Sequence, residues 1–419
     1  MKKNKQNISR RGFLAAGAAT IAAPLFLPGR ILGLDGTTPP NEKLTTAVVG
    51  VGNRGRDLLH VFRTRKYQCI GVCDCFKQRA ENACNTVNQQ YNNQDCLIFP
   101  KYEDALAHEK LDIIAIGTPD HWHTKITVEA CKAGKDVFCE KPLTLTLAEG
   151  LQIVEAARKY NRVASSGSQR VWEDYGHYMA PIIQSGAIGK VKEVFCGVNG
   201  PPKTCYLPEQ RVPDGLDWDR WLGQAPLAPY NEERMSGNYG GGWRQFEEYG
   251  NGFLADWGAH KFGGALYALG LDLEDPVEIL PANTENNPAK YFCAVFKNGL
   301  RMYHVNDGAH DVRFVGTEGS FDHRDPVKPK PLGPVNIRRY SGPQGDIYDD
   351  FDFCVRNRLR PFQDLEYGAR TAAFCQLMAI CYKLNRPLKW NQEKYRFEND
   401  EQANRMITRP QRTPFGIEV

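Results

Sequence analysis

The sequence predicts an α/β domain with a parallel sheet, followed by an α+β domain with a large, mostly antiparallel sheet. Between residues 43 and 166, apolar β-branched runs alternate with helical patterns, an order typical of parallel strands joined by helices. After about residue 190, strand-like runs follow one another without helices, which indicates antiparallel pairing. A length of 419 residues, at about 150 residues per domain, allows two to three domains.

Composition excludes several classes of protein. Hydrophobic residues make up 42% and charged residues 24% of the chain, which is ordinary for a globular protein and excludes a disordered one. The 53 basic and 49 acidic residues nearly balance, and no basic block is present, so we expect no nucleic-acid partner. The 13 cysteines are an odd number without a CxxC pair, and several lie in apolar runs, so we expect core residues rather than disulfides or a metal site.

Residues 1–38 are predicted to be an export signal and a linker. Three lysines precede Ser9-Arg10-Arg11-Gly12-Phe13-Leu14, and an Ala-rich apolar run from Ala15 to Leu27 follows. The paired arginines resemble a twin-arginine signal, which implies a periplasmic or otherwise exported protein; an ordinary amphipathic helix is the alternative. No later segment approaches about 18 consecutive apolar residues, so we expect no membrane insertion after signal removal.

The first strand of the α/β domain, Leu44 to Val49, meets Gly50-Val51-Gly52-Asn53-Arg54-Gly55, and a helical pattern follows. In this context the first glycine permits a tight turn, the second lets the backbone approach a pyrophosphate, and the third lets helix and strand pack closely. The free N–H groups of the helix N-terminus would then hold the pyrophosphate. A purely structural glycine turn is the alternative.

The second strand-like run ends at Asp74, 19 residues after Gly55. A carboxylate at this spacing binds the adenosine ribose and repels a 2′-phosphate, so the sequence favours NAD. Lys77 and Arg79 follow closely and would accept a 2′-phosphate, which keeps NADP as an alternative.

Two further strands end in polar segments. Leu111 to Gly117 runs into Thr118-Pro119-Asp120-His121-Trp122-His123, with a helix from Thr124 to Ala133, and Asp136 to Cys139 runs into Glu140-Lys141-Pro142. Since ligands of parallel sheets bind at the carboxyl ends of the strands, His121, His123, Glu140 and Lys141 are expected at the site. Helix-cap or core positions are the alternative for the two histidines, and no third ligand with zinc spacing accompanies them.

These segments, Ala47 to Gly55, Thr118 to His123 and Ala133 to Leu143 with its Glu-Lys-Pro signature, resemble the glucose–fructose oxidoreductase / inositol dehydrogenase (Gfo/Idh/MocA) family. The resemblance implies an NAD-binding Rossmann domain over 42–166 and a substrate-binding and oligomerisation domain over 167–386, followed by a tail over 387–419. It also implies tightly bound NAD, a small carbohydrate substrate, and a homodimer or homotetramer formed through the C-terminal sheet.

The pattern of the second half agrees with this layout. We expect a helix and turn over 182–189 and a strand over 190–197. The further predicted strands are 277–280, 289–296, 300–305 and 312–315, with a turn at 316–321 before another strand. Residues 347–384 are predicted to be helical with a break at Arg360-Pro361, and the tail reads as polar and irregular.

The predicted catalytic group combines two regions. The i, i+4 spacing places Asp256 and His260 on one helical face, and in related sugar and inositol dehydrogenases an Asp and a His at this spacing join the Glu-Lys-Pro lysine, here Lys141, around the substrate carbinol. Hydride leaves to the nicotinamide while a base takes the hydroxyl proton. Either Lys141 or His260 can be that base, with Asp256 assisting; a helix cap with a satisfied histidine is the alternative.

Further residues are predicted to bind either the cofactor or the substrate. Residues assigned to the cofactor are Gly50, Gly52, Asn53, Arg54, Gly55, Asp74, Thr118, Pro119, His121, His123, Glu140 and Lys141. Residues assigned to the substrate are Trp122, Lys141, Arg170, Trp243, Asp256 and His260. For Arg170 a surface salt bridge is the alternative, and the aromatic, Gly-rich stretch 206–249 reads either as a carbohydrate cleft or as a packed loop.

The sequence leaves three functions open. The first is an NAD(P)-dependent oxidoreductase acting on a sugar, polyol or glycoside. The second is a glycoside-cleaving enzyme that uses tightly bound NAD in a cycle of oxidation, elimination and reduction, although Gly240-Gly241-Gly242-Trp243 lacks the Gly-Gly-His-Gly-like element of N-acetylgalactosaminidases in this superfamily. The third is a non-catalytic nucleotide- or sugar-binding protein, against which the presence of Lys141, Asp256 and His260 speaks.

Overall fold

The structure is a computed structural model that describes residues 42–64, 66–236, 241–343 and 345–419. The predicted export signal lies outside these ranges, as do Tyr239 and Gly240 of the Gly-rich stretch, so export stays a prediction. Within the described ranges, no helix combines the length and the apolar character that crossing a membrane requires.

The first domain is built on a six-stranded sheet whose strands are all parallel, in the order β3-β2-β1-β4-β5-β6. The strands are β1 (Leu44–Val49), β2 (Tyr67–Cys73), β3 (Leu97–Phe99), β4 (Ile113–Ile116), β5 (Asp136–Cys139) and β6 (Ala164–Ser166). The order reverses between β1 and β4, and a crevice for ligands opens at this point, beyond the carboxyl ends of the strands.

Five helices connect these strands: α1 (Asn53–Phe62), α2 (Lys77–Tyr91), α3 (Tyr102–Leu106), α4 (Asp120–Lys132) and α5 (Leu147–Lys159). The central strands β1 and β4 carry runs of buried Ala, Val and Ile because helices cover both faces of the sheet. The predicted α/β domain with a parallel sheet is therefore present.

The second sheet has eight strands in the order β12-β11-β7-β10-β9-β8-β13-β14. They are β7 (Val191–Gly197), β8 (Glu278–Leu280), β9 (Phe292–Val295), β10 (Arg301–Val305), β11 (Val312–Gly316), β12 (Ser320–Asp322), β13 (Leu388–Asn391) and β14 (Arg396–Phe397). β7 and β10 pair in parallel and the other neighbours are antiparallel. The prediction of a large, mostly antiparallel sheet is confirmed.

The second half also contains several helices, which pack on both sheets. A π-helical turn (Val171–Gly176) leads into α6 (His177–Gln184), and α7 (Trp218–Leu222), α8 (Glu232–Met235) and a 3-10 turn (Gly242–Gln245) follow after β7. The remaining helices are α9 (Gly252–Asp256), α10 (Gly258–Leu269), α11 (Ile347–Asn357), α12 (Leu365–Leu384) and α13 (Glu401–Asn404). α12 packs against both α5 and α10, so it joins the two halves beside the crevice.

The segment after residue 386 is more ordered than its polar composition predicts. Leu388 and Trp390 are buried and the intervening Lys389 is exposed, so the two apolar side chains of β13 share the core face of the sheet. β13 pairs with β8 and extends the sheet. The alternation is only three residues long, which is too short a pattern to predict a strand.

Candidate active site

A cavity of about 370 Å³ lies at the carboxyl ends of β1, β2, β4 and β5. Residues from both halves of the chain form its walls. The predicted site residues that line it are Gly50, Gly52, Asn53, Arg54, Asp74, Thr118, Pro119, Trp122, Glu140, Lys141, Arg170, Trp243, Asp256 and His260. The structure therefore brings most of the predicted cofactor and substrate residues to one cleft.

The glycine turn has the geometry that a dinucleotide needs. Gly50 has φ +78°, a left-handed conformation that favours glycine. A Cβ at Gly52 would meet only the Arg79 guanidinium, at 3.7 Å, so the backbone is open to the cavity there. Gly55 does not line the cavity; it lets α1 pack on the turn, since a Cβ at Gly55 would lie 1.8 Å from the Gly50 carbonyl oxygen.

Gly55→Ala is therefore expected to destabilise the first domain. The added methyl group would collide with backbone that cannot move independently of β1, so we expect a loss of about 1–3 kcal/mol in the free energy of unfolding, measured by urea denaturation. Gly200→Ala is the matched control, because no atom among the described residues lies within 4 Å of a Cβ at that position. Equal stability of the two variants would contradict the close packing of α1 on the turn.

Asp74 lies at the end of β2 with both carboxylate oxygens engaged. Oδ2 accepts a hydrogen bond from Val51 N and Oδ1 accepts one from Phe76 N, both at 2.9 Å. Burial raises the pKa of the Asp74 carboxyl, while the Phe76 amide and the charge of Arg79 counteract that rise. Of the two basic residues considered for a 2′-phosphate, Arg79 lines the cavity, and Lys77 forms an ion pair with Glu81 at 3.7 Å.

Glu140 orients Arg54 at the floor of the cleft. The Arg54 Nε donates to Glu140 Oε1 at 2.8 Å, and its Nη2 donates to the Tyr348 hydroxyl at 3.0 Å. Glu140 is only 3% exposed, and its buried carboxylate fixes the Arg54 guanidinium near the start of α1. This arrangement places positive charge near the glycine turn, where a pyrophosphate would lie.

Lys141 and Asp256 form an ion pair across the two halves of the chain. The Lys141 Nζ donates to Asp256 Oδ1 at 2.7 Å and to the Asp256 backbone oxygen at 3.1 Å. The Arg244 Nε lies 3.5 Å from the same Oδ1. Both partners of the pair are mostly buried, so the ammonium group has a fixed position in the cleft.

Asp256 and His260 lie on successive helices, which differs from the single helix that their spacing predicts. α9 ends at Asp256 and α10 begins at Gly258, with Trp257 between them. Trp257 keeps φ −87° and ψ −25°, close to helical values, so the backbone turns without redirecting the two side chains away from the cavity.

His260 lies in the cavity wall, where its surroundings favour the neutral imidazole. Burial, and then the charges of Lys141, Arg170 and Arg54, hold the pKa of His260 well below its ordinary value of 6.5. Its Nδ1 is sealed from solvent and has no hydrogen-bond partner among the described residues. A histidine that stays neutral at physiological pH can exchange a proton with a bound hydroxyl group.

The substrate-side aromatic and basic residues surround the Lys141–Asp256 pair. Arg170 forms an ion pair with Asp174 and lies 5.3 Å from the Trp257 ring centroid. The Arg244 guanidinium stacks 4.2 Å from the centroid of Trp243. Arg170 therefore forms a salt bridge, which was the alternative to substrate binding, and it also lines the cavity.

His121 and His123 do not line the cavity, which differs from their predicted place at the cofactor. α4 begins at Asp120 rather than at Thr124, so both side chains belong to its first turns and point into the protein. A ring nitrogen of His121 bonds to the Trp221 oxygen at 2.9 Å, and His123 bonds to the Pro142 oxygen at 2.8 Å. Burial lowers the pKa of His121 to about 3 and that of His123 to about 4.

Asp120 and Arg244 line the cavity although the sequence did not single them out for the site. Burial, and then the charge of Asp256, raise the pKa of Asp120 well above its ordinary value. The signal available for Asp120 was an acidic residue four positions after the end of β4 and at the start of a helix. Arg244 belongs to the aromatic, Gly-rich stretch 206–249, in which only Trp243 was assigned to the substrate.

In the part of the chain that the structure describes, no group of three or more His, Cys, Asp or Glu residues could hold a metal ion. All 13 cysteines lie in that part and are free thiols, ten of them buried. Their placement in strands and helices of the core agrees with the apolar runs in which several of them occur.

Two family models match the chain. An oxidoreductase family model with an NAD-binding Rossmann fold matches residues 44–168, and the C-terminal alpha/beta domain of the same oxidoreductase family matches residues 202–417. The chain belongs to the Gfo/Idh/MocA oxidoreductase family. Its N-terminal domain is accordingly an NAD-binding Rossmann domain, which confirms the predicted family, fold class and cofactor.

Curated relatives of this Gfo/Idh/MocA protein match over part of their length. A glycosyl hydrolase family 109 protein of Shewanella baltica and an alpha-N-acetylgalactosaminidase of Shewanella oneidensis are each 29% identical over 174 residues. The match covers 36% of this chain and 38% of each relative. The similarity therefore reaches well under half of either protein.

Solved structures share the fold over most of the chain. An aldose-aldose oxidoreductase from Caulobacter crescentus has a TM-score of 0.56 at 18% identity, covering 83% of this chain and 99% of its own. The WlbA dehydrogenase from Chromobacterium violaceum, solved with NADH and UDP-GlcNAcA, has a TM-score of 0.59 at 17% identity and covers 84% of this chain and 97% of its own. These likenesses support the two-domain fold.

Proposed function

We propose that this protein is an NAD-linked oxidoreductase acting on a carbinol carbon of a sugar, polyol or glycoside. The observation that carries the proposal is the Lys141–Asp256 ion pair next to neutral His260, in a cleft that also contains the glycine turn of the NAD-binding domain. Acid–base groups and a dinucleotide turn in one cavity are the combination that hydride transfer from an alcohol requires.

The protein groups divide the work around the substrate hydroxyl. NAD, when bound, accepts the hydride from the carbinol carbon. His260 accepts the hydroxyl proton because burial and nearby cations keep its imidazole neutral. Lys141 stabilises the developing alkoxide through its positive charge, and Asp256 holds the ammonium group in place. This division assigns the base to His260, which the sequence left open between the two residues.

The surroundings of this group suit a carbohydrate. The aromatic residues Trp122 and Trp243 line the cavity, and Arg170 and Arg244 offer hydrogen-bond donors. Sugars present apolar C–H faces and many hydroxyl groups, so a wall that combines aromatic rings with fixed donors binds both features. We assign these four residues to substrate binding.

Glycoside cleavage is the second candidate, favoured by the match to the Shewanella glycosyl hydrolase family 109 proteins. In this reaction, oxidation of one sugar carbon acidifies the neighbouring C–H bond. Loss of that proton expels the glycosidic oxygen as an alcohol, water adds to the resulting double bond, and the hydride returns to the carbonyl. The net reaction is hydrolysis and needs no external oxidant. The missing Gly-Gly-His-Gly-like element argues against N-acetylgalactosaminide substrates in particular.

One experiment separates the two candidates. Purified protein is assayed for co-purifying NAD(H) and is then mixed with free sugars, polyols and glycosides, with and without added NAD. Net oxidation that requires added NAD or a second carbonyl acceptor supports the oxidoreductase, and release of free alcohol from glycosides without any addition supports the cleavage cycle. Absence of bound nucleotide together with absence of activity with NAD or NADP would overturn both.

Export and assembly complete the proposal. Passage through the twin-arginine route in a folded state would carry NAD out of the cytoplasm. Because lost NAD could not be replaced outside the cytoplasm, we propose that the cofactor stays bound. We also propose a homodimer or homotetramer formed through the eight-stranded sheet. On the face of this sheet away from α10 and α12, the half-buried Phe195 stacks on the buried Tyr303, and aromatic residues are enriched in subunit interfaces.

A further inference from the structure

The chain after the first domain folds back over the loop that carries Asp74. Leu216 forms an antiparallel bridge with Phe76. Next to this bridge, Asp217 N donates a hydrogen bond to the Cys75 oxygen at 2.9 Å. In α/β domains with a dinucleotide site, the loop after the second strand lies beside the adenosine ribose. This part of the second half therefore covers the adenosine end of the cleft.

Helix α7 brings two planar side chains, Arg220 and Trp221, to the adenosine end of the cleft. The Arg220 Nη1 pairs with Glu103 Oε2 at 2.9 Å, and the guanidinium lies 6.0 Å from the centroid of the Tyr102 ring. Tyr102, Arg220 and Trp221 line the same cavity as the ribose carboxylate. Planar guanidinium and aromatic groups are the side chains on which purine bases stack.

The C-terminal residues hold α7 from behind. The Arg412 Nη2 donates to the Asp219 backbone oxygen at 2.7 Å, and its Nε donates to the Gly223 oxygen at 3.1 Å. Arg412 also forms an ion pair with the Asp219 carboxylate. Phe415 is 6% exposed and contacts Trp122 edge-on, with the ring centroids 5.6 Å apart. Both ends of α7 are thus tied to the last residues of the chain.

We propose that residues 215–222 form an adenine-binding wall of the NAD site, and that residues 409–419 keep this wall closed so that the nucleotide stays bound through turnover. The proposal rests on the proposed function, because it takes NAD as the occupant of the cleft. A wall contributed by the second half explains how the adenosine end is enclosed. Release of the nucleotide then requires the contacts of Arg412 to open first.

The test is a chase of bound nucleotide. Wild-type protein and Arg412→Gln are loaded with radiolabelled NAD, diluted into excess unlabelled NAD and desalted at intervals. The variant loses hydrogen bonds from a charged group, so we expect its NAD release to be faster by on the order of tenfold or more. Arg396→Gln is the matched control, because it removes an ion pair with Glu401 at 2.7 Å in the same C-terminal region without touching α7, and we expect the wild-type rate.

A second variant acts on the wall itself. Arg220→Ala removes the guanidinium from the cavity, and we expect weaker NAD binding by calorimetry with an unchanged KM for the sugar, whereas general damage would change both. Arg220→Ala also tests the inference if the Arg412→Gln variant fails to fold. Release and binding constants equal to wild type in every folded variant would overturn the inference. The chase contains no sugar, so a protein that retains NAD but oxidises and cleaves nothing would overturn the proposed function alone.

Discussion

Lys141→Ala is expected to abolish turnover while leaving NAD bound. The substitution removes the positive charge that lies 2.7 Å from Asp256 Oδ1 and that, in the proposed mechanism, stabilises the alkoxide. Loss of a fixed group that stabilises a developing oxyanion lowers the rate by about 10²–10³-fold. Asp256 keeps Arg244 as a partner 3.5 Å away, so the fold should persist. The measurement is sugar turnover together with the NAD content of the same preparation.

Lys383→Ala is the matched control for this variant. Lys383 also forms an ion pair, with Glu247 at 2.7 Å, but its side chain is 55% exposed and does not line the cavity. We expect wild-type activity there. A Lys141→Ala enzyme with an unchanged rate would remove Lys141 from the mechanism, and one that loses NAD would show that the lysine holds the cofactor instead.

His260→Asn is expected to lower kcat/KM by about 10²–10⁴-fold, the usual contribution of a general base, and to change the pH profile. The pKa of His260 is held well below 6.5, first by burial and then by Lys141, Arg170 and Arg54. A base with a lowered pKa is neutral and active above that pKa, and activity is lost as the pH falls through it. The wild-type profile should therefore be flat near neutrality, with an acid limb below pH 6.5 that the variant lacks.

His60→Asn provides the comparison for the histidine. His60 is exposed on α1 and does not line the cavity, so both rate and pH profile should match wild type. If the His260→Asn enzyme kept the acid limb at an unchanged position, another group would be the titrating base. The assignment of the proton acceptor would then return to Lys141.

Local sequence patterns predicted the first domain well. Short-range periodicity is enough to predict the order of β1, glycine turn and α1, and the polar residues after β4 and β5. The turn itself depends on backbone freedom at Gly50, which is visible in the sequence as a glycine. Because the ends of parallel strands meet at one edge of the sheet, the sequence alone was enough to place Asp74 and Lys141 at one crevice.

The sequence was less informative where long-range contacts decide. The break between α9 and α10 leaves Asp256 and His260 facing one cavity, although their spacing predicted one helix. Histidine is a residue type common in active sites, but His121 and His123 are buried because α4 begins before them. Arg220 reaches the cavity only because the second half folds back over the first, and no local pattern encodes that contact.

The central claim is that the nicotinamide takes a hydride from a sugar carbon in the cleft formed by Lys141, Asp256 and His260. Rapid mixing of NAD-loaded protein with a panel of sugars and glycosides, followed by the absorbance of reduced nicotinamide, tests it most directly. We expect a reduced-nicotinamide signal in wild type and none in Lys141→Ala loaded with the same amount of NAD. Product formation without any nicotinamide reduction, or an equal signal in Lys141→Ala, would contradict it.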